Sequence, residues 1–198
     1  MGIFDFFRKK KQDGDSPDEL PPPIDEKQEA SKAALLELGT RLSAGNVQIV
    51  AEIKLAIEQP LEYFNTWEDR LINRGIDSPI DDQPWISLVD ALAEDQLAFE
   101  VDWKEASDTI VWATRKLLDR KQFTVPESVL IEVENEDSLP TNEVLQMLRD
   151  NLEKFGVTLA FMDIDSDSYV LITVRSDEIE SLQALASKAG YGIVDDFP

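Results

Sequence analysis

Residues 157–174 read VTLAFMDIDSDSYVLITV. Two apolar stretches, Val157–Ile164 and Tyr169–Val174, flank the polar tripeptide Asp165-Ser166-Asp167. β-Branched and aromatic residues favour strands, whereas Asp and Ser favour tight turns, so this stretch predicts a β-hairpin. Upstream, Thr141 or Asn142 caps a predicted helix to about Phe155, with Val144, Leu145, Leu148 and Leu152 on one face and Gly156 as its stop. Downstream, Ser176 or Asp177 caps a helix to about Lys188, with Ile179, Leu182, Leu185 and Ala186 inward. Tyr191–Val194 then reads as a strand. Val129-Leu130-Ile131-Glu132-Val133 also reads as a strand. The order across residues 125–198 becomes β-α-β-β-α-β, the ferredoxin-like pattern, in which helices cover one face of an antiparallel sheet.

Residues 24–124 read as mainly helical. Ala30, Ala34, Leu35, Leu38 and Leu42 recur at helical spacing from Glu26 to Leu42. Asn46 caps a second helix with Ile49, Val50, Ile53 and Ile57 on one face. A third is expected over Leu61–Asn73. Pro84 opens a fourth, to about Asp95, whose apolar face is Trp85, Leu88, Val89 and Leu92. Leu97–Val101 is a short predicted strand, and a helix over Lys104–Arg120 follows. The fold class is α+β: a helical N-terminal half with a short strand, then the ferredoxin-like half. Residues 1–23 form an arm. An apolar tip, Ile3, Phe4, Phe6 and Phe7, precedes Arg8-Lys9-Lys10-Lys11, and an acidic linker ends in Pro21-Pro22-Pro23.

The 198 residues include 19 Lys and Arg, 41 Asp and Glu, and no His or Cys, for a formal net charge of −22. Without Cys there is no disulfide, thiolate nucleophile or Cys metal site. Without His, imidazole serves neither as general base nor as metal ligand, which excludes Ser-His-Asp and Cys-His catalysis. The acidity disfavours nucleic acid, whose binding depends on Lys and Arg displacing counterions. It favours a basic protein partner. No stretch approaches the ~20 apolar residues of a membrane span, and Met1–Lys11 has the wrong order of apolar and basic residues for a signal peptide, so a cytoplasmic location is expected.

Several stretches carry a resemblance. Pro60-Leu61-Glu62-Tyr63-Phe64, Arg74-Gly75-Ile76-Asp77, Pro84-Trp85-Ile86-Ser87-Leu88-Val89-Asp90-Ala91-Leu92 and Asp102-Trp103-Lys104 are similar to a bacterial family catalogued as domain of unknown function 6630. Asp163-Ile164-Asp165-Ser166-Asp167-Ser168-Tyr169 resembles that family's aspartate-rich hairpin. The resemblance covers roughly residues 30–195 and implies no activity or catalytic residue.

Three groups of residues are candidates for function. Asp163, Asp165 and Asp167 have the i, i+2, i+4 spacing of calcium-ligating carboxylates. Ser168 and Val174 stand where an EF-hand needs Gly and Glu, and a polar turn explains the same residues. Asp81, Asp82, Trp85, Asp102 and Trp103 form a candidate partner-docking surface, since Trp anchors interfaces. Carboxylates beside Trp also occur in glycosidases, but carboxylates are too numerous here for that to discriminate. Phe4, Phe6, Phe7, Lys9 and Lys10 are candidates for contact with an anionic membrane surface. No cofactor is expected: Gly-rich phosphate loops are missing. The expectation is a non-enzymatic module that binds a basic partner, an immunity-type protein against a basic toxin being one version. The alternative is a divalent-metal-binding regulatory or enzymatic domain using the Asp163-Asp165-Asp167 hairpin.

Overall fold

A computed structural model describes residues 26–136 and 138–197. Helices α1 (Glu26–Leu42) and α2 (Val47–Glu58) form where the apolar spacing predicts them. The Asn46 side chain caps α2 by accepting from the Gln48 N–H at 3.0 Å. The helix expected over Leu61–Asn73 is two pieces, α3 (Pro60–Thr66) and α4 (Glu68–Asn73). Trp67, at φ −117° and ψ 31°, makes the break and stacks its ring on Tyr63 at 4.6 Å. Then come α5 (Gln83–Glu94), strand β1 (Phe99–Asp102) and α6 (Ser107–Lys121).

The segment Val129–Val133 corrects the expectation of a strand: it lies inside helix α7 (Glu127–Glu134). Leu130 and Val133, three residues apart, are buried, while Ile131 is half exposed. A strand would have put Ile131 and Val133 on one face. The β-branched residues suggested extension, but α7 packs between α6 and α8 (Thr141–Glu153), and tertiary packing overrides so weak a local preference. The remaining elements are β2 (Val157–Asp163), β3 (Ser168–Arg175), α9 (Ile179–Ala189) and β4 (Gly192–Val194).

The sheet order is β1-β3-β2-β4, with every neighbouring pair antiparallel. Its first strand is therefore Phe99–Asp102, drawn from residues 24–124, and the sheet spans both segments. Phe99 pairs with Leu171 on β3, and Phe161 on β2 pairs with the same Leu171 from the other side. Two crossovers result: β1 to β2 through α6–α8, and β3 to β4 through α9. Both step the same way across the sheet, but β1 and β3 run oppositely. Right-handed connections then require the two sets of helices to lie on opposite faces.

The cores agree. Ala160, Met162, Val170 and Ile172 meet α1, α2, α5 and α9 on one face. Val157, Leu159 and Leu171, the alternate residues, meet α6, α7 and α8 on the other. The arrangement is α+β with three layers, so the expectation of helices on one face only is corrected. A third cluster, Ala56, Tyr63, Phe64, Leu71 and Ile86, fills the space between α2, α3, α4 and α5.

The helical reading of residues 127–134 has a direct check. Leu130→Ala removes a fully buried side chain and is expected to cost about 2–4 kcal/mol in denaturant unfolding, while Ile131→Ala costs under about 0.5 kcal/mol. Equal costs would favour the strand.

Candidate functional site

Asp90 is the anomaly in α5. It stands inside the apolar run Trp85–Leu92 and is only 5% exposed. A carboxylate there demands a cation. Two arrive from α4 and its C-terminal cap. Arg74 donates from Nε to Asp90 Oδ1 at 2.7 Å, and its Nη2 reaches Glu100 Oε2 on β1 at 3.0 Å. Arg70 Nε lies 3.3 Å from Asp90 Oδ2 as an ion pair without hydrogen-bond geometry. The Arg70 guanidinium also donates to Glu94 at 2.7 Å, to the Tyr63 hydroxyl at 2.6 Å and to Glu52 on α2. It sits over the Trp67 ring, 5.3 Å from its centre. Glu100 Oε1 accepts from the Ser168 hydroxyl at 2.6 Å. One polar chain thus runs from α2 through α4 and α5 to β1 and the start of β3.

Burial dominates the electrostatics of this cluster. It raises the Asp90 and Glu52 carboxyls above their ordinary values, and the guanidiniums offset only part of that. Burial also opposes the charge on Arg70 and Arg74, but their carboxylate hydrogen bonds outweigh it, and both guanidiniums hold their protons more tightly than usual.

The cluster floors an open cleft of about 870 Å³. The cleft lies between the α4–α5 segment, the end of β1 and the β2–β3 hairpin. Ile76, Ile80, Ile86 and Ile164 supply its apolar lining. Asp82, Asp102, Asp165 and Asp167 are exposed carboxylates around it, Glu100 is exposed as well but paired to Arg74, and Asp90 alone is buried. Six carboxylates therefore face two guanidiniums, both already ion-paired. A neighbouring hollow of about 400 Å³ shares Asp82, Ile86, Ile164 and Asp165 and extends to Trp85 and Tyr191. Burial, then the nearby Asp82 and Asp81 carboxylates, push the Tyr191 phenol up to about 12.

The structure divides the sequence-predicted residues. Asp82 and Asp102, from the candidate docking surface, meet Asp165 and Asp167, from the candidate metal hairpin, at one cleft. Asp81 faces a different hollow, beside α1. Trp103 is half exposed beside Leu139 and Tyr169, with the Lys104 ammonium 4.0 Å from its ring centre. Trp85 is buried and offers no surface. Its indole N–H donates to the Asp163 carbonyl at 2.7 Å, and its ring stacks on Tyr191 at 4.6 Å, which fixes the hairpin root to α5. Asp163 Oδ1 accepts from the Asp165 N–H at 3.0 Å, and Asp165 takes a left-handed φ of 55°, a conformation Asp tolerates. Among the described residues no group of three or more carboxylates is gathered closely enough to hold a metal ion. Phe4, Phe6, Phe7, Lys9 and Lys10 lie outside the described residues.

Arg70, Arg74, Glu52 and Glu100 are not among the site residues that the sequence points to. The signal available was Asp90 itself, a charge within a buried run, and the i, i+4 pair Arg70 and Arg74, which places two cations on one helical face.

A family described as Domain of unknown function (DUF6630) matches residues 34–197. The chain belongs to that family. No curated protein and no solved structure matches the chain. The ion-pair cluster and the cleft of this DUF6630 member lie wholly within the matched residues, and the sequence before residue 34 lies outside them. No helix among the described residues is long and apolar enough to cross a membrane.

Two outcomes follow for the DUF6630 cluster. Arg74→Met strips Asp90 of its hydrogen bonds and is expected to cost about 3 kcal/mol in urea unfolding. Glu58→Gln, which breaks the exposed pair with Lys54, costs under about 0.5 kcal/mol. The raised Asp90 and Glu52 carboxyls also set a pH dependence. Burying their charge costs nothing below the ordinary values of 3.8 and 4.5, where both states are protonated. Above the raised values the cost is felt in full, so stability falls as pH rises through that window. The melting temperature is therefore expected to be higher near pH 4, at the lower edge of that window, than at pH 7, and to remain so in high salt, where surface repulsion is screened.

Proposed function

We propose that this protein is a non-enzymatic interaction module whose cleft receives a basic segment of a protein partner. The carrying observation is the pairing of four isoleucines with an excess of four carboxylates over guanidiniums in one open cleft. Lysine and arginine side chains have that same division, an aliphatic stem and a charged head, and lie along apolar surface with the head at a polar rim. Arg70 and Arg74 do not compete for anions, because carboxylates already hold them. The net charge of −22 steers a cationic partner toward the surface and speeds encounter. Neither imidazole nor thiol is needed for this role. A basic toxin neutralised by a charge-matched cover is one partner of the required chemistry, and a cytoplasmic site of action accords with it.

Fluorescence anisotropy with a labelled peptide of alternating lysine and leucine tests the reading. Binding is expected at 50 mM salt and should weaken roughly tenfold by 300 mM. Asp82→Lys with Asp102→Lys should weaken it roughly tenfold at low salt, while Glu143→Lys with Glu180→Lys, exposed residues outside the cleft, should not. Equal losses from both pairs would mean that the peptide feels only the overall charge, and the reading would fail.

A further inference from the structure

We infer that the acidic cleft has an occupant within this chain: residues 3–11, the Phe-rich basic tip that precedes α1. This rests on the reading of the cleft as a receptor for basic segments and names its first ligand. Met1–Lys11 carries Arg8, Lys9, Lys10 and Lys11 against the single acid Asp5. Ile3, Phe4, Phe6 and Phe7 stand directly before the cations. The cleft offers the complement on both counts, an isoleucine lining and a carboxylate rim. In a chain of net charge −22, Arg8–Lys11 is the one run of four consecutive cations.

Helix α1, which follows the linker in the sequence, borders a hollow that shares residues with the cleft and its neighbour. The described residues begin at Glu26, the first residue of α1. Ser31 and Lys32 of α1 line a hollow of about 310 Å³ together with Ile80, Asp81 and Tyr191. Ile80 also lines the cleft, and Tyr191 lines the hollow next to it. The 14 residues from Gln12 to Asp25 separate the basic tip from α1. Extended, such a segment reaches about 45 Å. As a coil it spans about 20 Å, which keeps a tethered tip at an effective concentration of order millimolar. Asp13, Asp15, Asp18 and Glu19 within the linker repel the acidic rim, so attraction is confined to the tip.

The consequence is self-competition. An external basic segment must displace the tip, so the cleft answers only to partners that outbid a tethered ligand, and the apparent affinity for any partner is lowered by the tip's occupancy.

The chain has no cysteine, so Gly2→Cys in the full-length protein takes a nitroxide at one place. Paramagnetic broadening of isoleucine methyls is then read at 50 mM salt. Apart from Ile3 beside the label, broadening strongest at Ile76, Ile80, Ile86 and Ile164, independent of protein concentration and lost at 500 mM salt, is the expected result. Broadening that appears only when labelled and unlabelled chains are mixed would place the tip on a second copy and overturn the inference. So would unchanged cleft methyls together with relaxation of the label by added phosphatidylserine vesicles, which would make the tip a membrane contact. In a second arm, the lysine–leucine peptide is titrated into full-length protein carrying Arg8→Glu, Lys9→Glu, Lys10→Glu and Lys11→Glu. Release of the tip should tighten peptide binding about threefold to tenfold. Peptide binding at the cleft with no change in this variant leaves the receptor reading standing and sinks the intramolecular occupant; failure of the peptide to bind either protein sinks both.

Discussion

A carboxylate within a helix's buried run is the constraint from which much of this structure follows. Asp90 sits one helical turn after Ile86, inside the buried run Trp85–Leu92, at 5% exposure. Desolvating it alone would cost several kcal/mol. Arg74 and Arg70 offset part of that cost, but only if α4 lies across α5 at one depth and one rotation. Their other hydrogen bonds then fix more of the molecule: Arg70 fastens α2 through Glu52, and Arg74 fastens β1 through Glu100. Replacing such a cluster by hydrophobic side chains often leaves stability unchanged or higher. What the polar version adds is direction, because each hydrogen bond admits one placement of a helix where an apolar contact admits several.

Topology decides where that cluster opens to solvent. Two interleaved crossovers that step the same way across an antiparallel sheet must carry their helices on opposite faces to keep the right hand. The sheet is then covered on both sides, by α1, α2, α5 and α9 and by α6–α8. Its open ends are where ligands can approach. At one end the root of the β2–β3 hairpin meets the start of α5 through the Trp85 indole and the Asp163 carbonyl. The same end carries the finish of β1, so hairpin aspartates, the α5 N-terminus and Asp102 converge without any of them being near in sequence.

Legibility in the sequence follows the range of the physics. The hairpin at 157–174 was plain because strand alternation and turn chemistry are local and agree with one another. Helices α1, α2, α5 and α8 were plain because their apolar spacing repeats over three or four turns. Val129–Val133 was misread: five residues are too few for periodicity to separate a helix from a strand, and β-branching tipped the balance. With that strand misplaced, the predicted strand Leu97–Val101, observed as Phe99–Asp102, reads as an isolated piece of the helical half. Its pairing with β3 is set by side chains some seventy residues away, which no window can see. For the site, Asp82, Asp102, Asp165 and Asp167 were singled out for separate reasons, yet only the fold makes them neighbours. Trp85 reads as surface because tryptophan serves cores and interfaces alike; one of the contacts that bury it is the stacking on Tyr191, about a hundred residues further along the chain.

The paired arginines bear on the sign of the ligand proposed for the cleft. A cleft with two guanidiniums would, taken by composition, invite phosphates or carboxylates. Here Arg74 is shared between Asp90 and Glu100, and Arg70 among Glu52, Asp90 and Glu94. An incoming anion would have to break a buried pair and leave a carboxylate without its partner, at a cost several times what a new surface ion pair returns. A cation meets no such cost: Asp82, Asp102, Asp165 and Asp167 are exposed. On the proposed reading, the same pairs that hold the helices in place also turn anions away from the cleft, so that structural role and ligand preference share one origin.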